Sequence, residues 1–275
     1  MKLQGKVALI TGGGRGIGKS VAELFSQHGA TLMLCARSAQ ELGKTKDELL
    51  NAGGTAEVFA ADVSRTEDVR ALVARTLEAF GKIDVLVNAA GIYGAIGAIT
   101  TLDFEKWKAT FAVNLFGTFS VIQQALPSMI EHRGGRVINF SGGGEGPLPN
   151  FSAYSTSKIA VVRLTENLAE ELKSYGIMVN VVAPGAVNTK ILDDALDAGK
   201  KLVGEDLYAR FLKQKREGGV SPLKAAELCV FLASDESKGL TGKFVSAIWD
   251  DWNKWDEEQI REIMETDRLT IRRKK

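Results

Sequence analysis

Tyr154 and Lys158 stand four residues apart in the stretch AYSTSKIAVVRL, and only Ser155, Thr156 and Ser157 separate them. A phenol can give and take a proton, but its ordinary pKa near 10 must fall by roughly 2 to 3 units to do so near neutral pH. A helix brings positions i and i+4 to one face, where the Lys158 ammonium would favour the ionised phenol. The spacing therefore predicts an acid–base pair, although taken alone it also fits a solvated helix start.

A glycine-rich stretch near the beginning of the chain, TGGGRGIG at 11–18, follows the apolar run KVALI and precedes a helical pattern. In this position glycines permit a tight turn and let backbone N–H groups approach a pyrophosphate at a helix N-terminus. A turn that needs glycine only for positive φ is the alternative, but the stretch holds more glycines than such a turn requires. It predicts a dinucleotide site, with these residues as candidates: Thr11, Gly12, Gly14, Arg15, Gly16, Ile17 and Gly18.

The second apolar run ends in LCARS, without a carboxylate to accept a hydrogen bond from a ribose 2′-OH. Arg37 stands there instead and would pair with a 2′-phosphate, and Arg15 could join it. The sequence thus predicts NADP(H) in preference to NAD(H), unless both arginines are merely solvated.

The elements that must position these residues follow from apolar patterning. Seven short apolar runs alternate with helical patterns such as VVRLTENLAEELK, in which apolar residues recur at three- and four-residue spacing. This alternation predicts a single-domain α/β fold of the Rossmann type, with a doubly wound parallel sheet of about seven strands and helices on both faces. The runs are KVALIT, ATLMLCAR, TAEVFAAD, IDVLVNAAG, GRVINFS, IMVNVVAPG and GKFVSAI.

Composition narrows the class of protein. The chain has 275 residues, 35 Lys and Arg against 34 Asp and Glu, and a formal charge of +1, which gives no general attraction to nucleic acid or anionic membranes. The two cysteines and two histidines are widely separated and match no metal-ligand spacing. No apolar run is long enough for a signal-peptide core or a membrane span. We expect a cytoplasmic small-molecule enzyme with reduced thiols and without metal.

Taken together, these motifs resemble the short-chain dehydrogenase/reductase family over approximately residues 5 to 245. The family pattern Thr-Gly-x-x-x-Gly-x-Gly is met by the stretch at 11–18, and NAAG at 88–91 resembles the family's Asn-Asn-Ala-Gly, with Ala89 in place of the second Asn. Further cofactor residues are implied by the resemblance: Asp62 and Val63 at the adenine, Asn88, Ala89 and Gly91 at the strand end, Tyr154 and Lys158, and Pro184, Gly185, Val187 and Thr189 at the nicotinamide carboxamide. Asp62 and Asn88 taken alone also fit caps of a helix or turn.

The resemblance implies a catalytic tetrad of Asn114, Ser141, Tyr154 and Lys158. A carbonyl that accepts hydride gains negative charge on its oxygen, so Tyr154 would donate the proton and Ser141 would orient and polarise that oxygen. By resemblance alone, Asn114 would support a proton-relay water and Lys158 would bind the nicotinamide ribose. This predicts a reductase of ketones or aldehydes, reversible as an alcohol dehydrogenase. The alternative is an NAD(P)-binding sensor or scaffold without turnover, which loss of Tyr154, Lys158 or Ser141 would indicate.

The remaining segments carry structural expectations. A catalytic domain is predicted at 1–248, with a substrate lid at about 186–220, and Leu148 and Phe151 either line the pocket or serve packing. An extension follows at 249–275, in which Asp256 and Gln259 can cap a helix at about 257–266. We expect 249–266, with Trp249, Trp252 and Trp255, to dock on the body or on a neighbouring subunit, while the basic end RRKK at 272–275 stays mobile. The family resemblance also implies a homodimer or homotetramer paired through helices near 103–130 and 154–174.

Overall fold

A parallel sheet of seven strands forms the centre of the molecule in the computed structural model, which describes residues 1–142 and 146–272. The strand order is β3-β2-β1-β4-β5-β6-β7, so the chain moves outward in one direction from β1 and then in the other from β4. All seven predicted strands are present: β1 (Val7–Thr11), β2 (Thr31–Ala36), β3 (Thr55–Ala60), β4 (Val85–Asn88), β5 (Gly135–Phe140), β6 (Ile177–Ala183) and β7 (Phe244–Ser246).

Helices connect the strands as the periodic segments predict. They are α1 (Gly16–Gln27), α2 (Ala39–Asn51), α3 (Thr66–Phe80), α4 (Phe104–Phe111), α5 (Thr118–Glu131), α6 (Ser152–Leu172), α7 (Lys190–Ala198), α8 (Lys200–Val203), α9 (Glu205–Glu217), α10 (Pro222–Ala233) and α11 (Glu257–Met264). A π-helical segment, Ala112–Gly117, joins α4 to α5. The predicted α/β architecture is therefore confirmed.

Each face of the sheet has its own apolar layer. Along β1, Ala8 and Ile10 belong to one layer and Leu9 to the other, as the alternation of a strand requires. The first layer includes the fully buried Phe25 of α1 and Leu228 of α10, and the second includes residues of α3, α5 and α6. Because both faces are covered, the central strands are mainly apolar, as in VALIT of β1.

The segment predicted as a lid, 186–220, consists of α7, α8 and α9. Its two ends are joined by a parallel bridge between Val187 and Val220. Leu192, Ala195 and Val203 are buried, whereas every residue of α9 keeps some exposure to solvent. The segment is thus anchored through α7 and α8, and α9 is its least buried helix.

The C-terminal extension docks on the body, as predicted, through α11. Asp256 Oδ1 accepts from Gln259 N at 2.9 Å and Gln259 Oε1 accepts from Asp256 N at 3.1 Å, which is the predicted cap. Ile260 and Ile263 are buried in the first apolar layer. The helix ends at Met264, two residues earlier than predicted.

The tryptophans of the extension behave differently from one another. Trp252 and Trp255 pack against Phe231 of α10, with ring centroids 5.7 and 6.3 Å apart. Trp249 does not dock on the body, because it is 81% exposed, and its docking on a neighbouring subunit stays a prediction. Ser246 Oγ accepts from Trp249 N at 3.1 Å in a tight turn, which holds the backbone and leaves the indole in solvent.

Residues after α11 lie along α6 and β7. Leu269 O accepts from Phe244 N at 2.7 Å, and Glu166 Oε1 accepts from Ile271 N at 2.7 Å. Arg272, expected to be mobile with the rest of the basic end, instead donates to Glu166 Oε2 at 3.3 Å and to Asp267 Oδ1 at 3.1 Å. The buried carboxylate of Glu166 provides the partner that the sequence did not reveal. The remainder of the predicted basic end, 273–275, lies outside the described residues.

Membrane-crossing helices are not found in the part of the chain that the structure describes, because none there is both long and apolar enough.

Candidate active site

A cleft of about 250 Å³ opens at the carboxyl ends of β1 and β4, where the direction of strand order reverses. Its walls are the β1–α1 loop, the ends of β2 and β4, and residues 189–191 at the start of α7. In doubly wound sheets this crevice is where nucleotides bind, because the helix N-termini and the loops converge there.

Close backbone approaches explain the number of glycines in the β1–α1 loop. Gly12 has φ +71, and a Cβ there would lie 2.9 Å from the backbone of Ala89. A Cβ on Gly18 would overlap the carbonyl oxygen of Gly12, even though Gly18 does not have positive φ. The loop thus needs glycine for close packing as well as for turning, which a tight turn alone would not require.

Most of the predicted cofactor residues line this cleft: Gly12, Gly14, Arg15, Gly16, Ile17, Gly18, Arg37, Asp62, Val63, Ala89, Gly91 and Thr189. The rest lie outside its lining: Thr11, Asn88, Tyr154, Lys158, Pro184, Gly185 and Val187. Two of them brace its walls, since Thr11 Oγ1 accepts from Ala90 N at 3.3 Å and Asn88 Nδ2 donates to Asn139 Oδ1 at 2.9 Å. Asn88 therefore joins β4 to β5 from within the sheet.

Asp62 both lines the cleft and caps a turn. Its Oδ1 accepts from Ser64 N at 2.9 Å and from Ser64 Oγ at 2.7 Å. Burial acts to raise the pKa of Asp62, but the hydrogen bonds from Ser64 and the charges of Arg37 and Arg65 lower it overall. The Asp62 carboxylate is therefore held ionised at the same end of the cleft as Arg37.

Glu41 is a cleft residue that the sequence reasoning missed. It stands in the first turn of α2, with its side chain against Gly14, and its Oε1 lies 2.9 Å from Arg15 Nη1. Ser38 caps α2 by accepting from Glu41 N at 3.2 Å. The Ser-x-x-Glu spacing of a capping box was the signal that could have placed this carboxylate beside the glycine loop.

The four predicted catalytic residues come from three elements. Ser141 follows β5, Tyr154 and Lys158 lie on α6, and Asn114 lies in the π-helical segment, a type of turn that is frequent at functional sites. Lys158 Nζ donates to Phe140 O at 3.0 Å. Asn114 Oδ1 accepts from Ile92 N at 2.9 Å.

Glycines bring these elements together. A Cβ on Gly142 would overlap the hydroxyl of Tyr154, so the phenol lies against the residue that follows Ser141. A Cβ on Gly91 would lie 3.2 Å from Lys158 Nζ and 3.5 Å from Asn114 Oδ1. The four side chains therefore converge on the carboxyl ends of β4 and β5, next to the cleft. Ser141 Oγ is buried and has no hydrogen-bond partner among the described residues.

The expected lowering of the Tyr154 pKa is not found. Burial raises the pKa of this phenol, and neighbouring Tyr93, whose ring centroid is 4.6 Å away, raises it further. Burial also lowers the pKa of Lys158 to about 8. Burial of the two groups explains both pKa shifts, because removal of water disfavours the charged form of each group.

The residues present fit a dinucleotide. The loop at 11–18 allows close approach to a pyrophosphate, and Arg37 is a cation at the second strand end. Strand order, loop and cleft together define a doubly wound dinucleotide-binding protein.

Comparisons with known proteins give the family. The family model for the short chain dehydrogenase matches residues 6–199. Oxidoreductase UcpA of Salmonella typhimurium (strain LT2) is 38% identical over 248 residues, covering 88% of this chain and 92% of that protein. The chain belongs to the short chain dehydrogenase family and is an oxidoreductase with a nicotinamide cofactor.

Two solved structures share the fold. NAD⁺-bound xylitol dehydrogenase is 28% identical with a TM-score of 0.82, covering 90% of this chain and 98% of that chain. A gluconate 5-dehydrogenase from Burkholderia cenocepacia J2315, in complex with NADP and tartrate, is 29% identical with a TM-score of 0.79, covering 89% and 94%. Because one of these structures holds NAD⁺ and the other NADP, similarity to them does not show which of the two cofactors this chain prefers.

Proposed function

We propose that this protein is an NADP(H)-dependent oxidoreductase that interconverts a ketone or aldehyde with the corresponding alcohol. The observation that carries the proposal is the buried hydroxyl of Ser141, which has no partner within 1–142 and 146–272 and lies next to the Gly142–Tyr154 contact. An orphaned buried donor costs free energy unless a ligand satisfies it, and a carbonyl oxygen is a matching acceptor.

Each residue of the tetrad has its own role toward the substrate oxygen. The bound cofactor would supply or accept the hydride. Ser141 donates a hydrogen bond to the substrate oxygen, and Tyr154 gives it a proton in reduction or removes one in oxidation. Lys158, held by the carbonyl of Phe140, supplies positive charge that favours the ionised phenol and contacts the ribose. Asn114, locked to Ile92 and Ser157, supports the water through which Lys158 regains a proton.

We assign the preference for NADP(H) over NAD(H) to Arg37 and Arg15. Both line the cleft, and a charge-assisted hydrogen bond to a 2′-phosphate contributes roughly 1.5 to 3 kcal/mol. We therefore expect NADPH to bind more tightly than NADH, and equal or tighter binding of NADH by the purified protein would contradict the assignment.

Tyr154→Phe tests the reaction. We expect kcat to fall by about 10² to 10⁴, the usual contribution of a positioned acid–base group, while the dissociation constant of NADPH stays nearly unchanged. Turnover is measured by NADPH absorbance with a panel of carbonyl compounds, and cofactor binding by fluorescence titration.

Tyr175→Phe is the matched control, because Tyr175 is exposed and lies beyond the end of α6. It should keep full activity. Retention of most turnover by Tyr154→Phe would refute the proton donor, and cofactor binding without turnover of any carbonyl by the native protein would favour the sensor alternative.

A further inference from the structure

An aromatic cluster packs against the ring of Tyr154. The ring of Tyr93 stands edge-on to Tyr154 at 4.6 Å between centroids and to Phe151 at 4.9 Å. Phe211 completes the group, stacked on Tyr93 at 6.3 Å and edge-on to Phe151 at 6.0 Å. We call Tyr93, Phe151 and Phe211 the aromatic cap. The ring of Tyr93 is therefore the aromatic group that a substrate at Tyr154 would meet first.

The surroundings of the aromatic cap are apolar. The other hydrophobic side chains packed with it and with Tyr154 are Ile96, Leu148, Ala195, Ala198, Val203, Leu207 and Tyr208. Phe151 is fully buried, so it and Leu148, for which pocket lining and packing were both open, belong to the same cluster as the catalytic tyrosine. The aromatic cap therefore belongs to the same hydrophobic cluster as Tyr154.

Two ion pairs of the lid segment lie at its surface. Lys190 Nζ lies 3.2 Å from Asp194 Oδ1, and Lys215 Nζ lies 2.7 Å from Asp193 Oδ1, in pairs that are substantially exposed. Within each pair the two charges neutralise one another at the surface of α7 and α9. A carboxylate or phosphate held against these apolar side chains would lose its hydration without a charged partner among them, which is unfavourable.

Phe211 is the member of the cap that a substrate can replace. Phe151 is fixed at the start of α6, whereas Phe211 is partly exposed and belongs to α9, in which no residue is fully buried. Helices with little burial open at a low free-energy cost. A ring that takes the position of Phe211 would keep the edge-on and stacked contacts with Tyr93 and Phe151.

We propose that the substrate is a ketone carried on an uncharged, ring-bearing apolar body that displaces Phe211 from the aromatic cap. This rests on the function proposed above. In the reducing direction a hydride with its electron pair forms the new C–H bond at the carbonyl carbon, and the oxygen takes the proton of Tyr154. The products are a secondary alcohol and the oxidised nicotinamide cofactor.

A matched pair of ketones tests the substrate class on the full-length protein with NADPH. Acetophenone and 4-acetylbenzoate share the ring and the carbonyl and differ in one carboxylate. We expect kcat/KM for acetophenone to exceed that for 4-acetylbenzoate by at least about 100-fold, because an unpaired buried charge is costly. A ratio of one or less overturns the inference.

Phe211→Lys makes the test specific to the aromatic cap. The added cation should shift the ratio toward 4-acetylbenzoate by at least about 10-fold, as expected for a charge-assisted contact. Leu212→Lys is the matched control, since Leu212 is the next residue of α9 and is 40% exposed, so it adds the same charge outside the cluster. An equal shift in both variants, or none in Phe211→Lys, contradicts the inference.

Folding and the proposed function are checked separately. Phe211→Leu keeps the site apolar and should keep the preference for acetophenone. If Phe211→Lys does not fold, the native protein and Phe211→Leu still test the inference. Turnover of 4-acetylbenzoate in preference to acetophenone overturns only the substrate class. Failure of the native protein to reduce either ketone or any member of the carbonyl panel, with NADPH bound, overturns the proposed function as well.

Discussion

At the scale of single residues, Glu41 opposes the expected cofactor preference. Its carboxylate pairs with Arg15 inside the cleft, where it competes with a 2′-phosphate for the guanidinium. Both side chains are substantially exposed, so the pair itself contributes little to stability. Its effect is therefore expected on binding and not on folding.

Glu41→Gln should tighten NADPH binding by roughly 2- to 10-fold and leave NADH binding unchanged, because only NADPH carries the added phosphate. The two dissociation constants are measured by fluorescence titration at low and moderate salt. Glu48→Gln, on the same helix but paired with Lys19 away from the cleft lining, is the control. Equal tightening of both cofactors would show that Glu41 does not sense the phosphate.

Lys158 links catalysis to stability. Its pKa, lowered to about 8 by burial, lies below the ordinary 10.5, so between these pH values the folded chain holds fewer protons than the unfolded chain. The free energy of unfolding therefore rises with pH through this window, and the penalty is complete below pH 8. The difference corresponds to on the order of 3 kcal/mol.

Lys158→Met should thus stabilise the protein without cofactor at pH 7, by up to about 3 kcal/mol, while abolishing activity. The stability gap should shrink as the pH approaches 10. Urea unfolding at several pH values measures it, with the exposed Lys44→Met as control. A pH-independent gap would mean that burial of the charge is not its cause.

At the scale of elements, α11 is a stabilising part of the body. Ile260 and Ile263 are buried in the first apolar layer, and full burial of such a side chain contributes about 1.5 to 3 kcal/mol. The sequence predicted this docking because the capping residues and the apolar face were local features. It could not predict the contact of Arg272 with Glu166, which joins residues more than a hundred positions apart.

Truncation after Ala247 should lower the free energy of unfolding by at least about 3 kcal/mol, since both isoleucines are lost. Thermal and urea unfolding check this. Trp249→Ala, at the exposed tryptophan of the same extension, should change stability by less than about 0.5 kcal/mol. An unchanged melting temperature after truncation would refute a stabilising role for α11.

The strands and the glycine loop were predictable because each is encoded by a short run, such as VALIT or TGGGRGIG. The π-helical turn around Asn114 was not, since it depends on contacts with Ile92 and Ser157 from other elements. The cover of Tyr154 was missed for the same reason: Tyr93 and Phe211 are distant in sequence and meet only when the lid segment folds over α6.

At the scale of the whole molecule, a row of aromatic side chains remains exposed on α4 and the segment that follows it. Phe104 and Phe116 are 65% and 61% exposed, and Phe119 at the start of α5 is 44% exposed. Adjacent rings stack along this row, with Trp107 and Phe111 4.4 Å apart. Contiguous exposed apolar surface of this kind marks association sites.

We expect the protein to form at least a dimer through this surface, as the family resemblance implies. Phe116→Asp combined with Phe119→Asp should shift it to a monomer in light scattering at micromolar concentration, because the new charges would be buried on association. Leu50→Asp, at an exposed apolar residue of α2, should leave assembly unchanged. A native monomer would reject the prediction.

The chain segment that follows β7 has a consequence for colloidal behaviour. β7 is an edge strand, and edge strands template intermolecular β-pairing through their unsatisfied main-chain groups. Here the N–H of Phe244 is taken by Leu269 O and that of Ser246 by Asp250 Oδ2 at 2.7 Å. The extension thereby acts as an aggregation guard, so a protein shortened before residue 250 should not only unfold earlier but also precipitate by strand addition while still largely native.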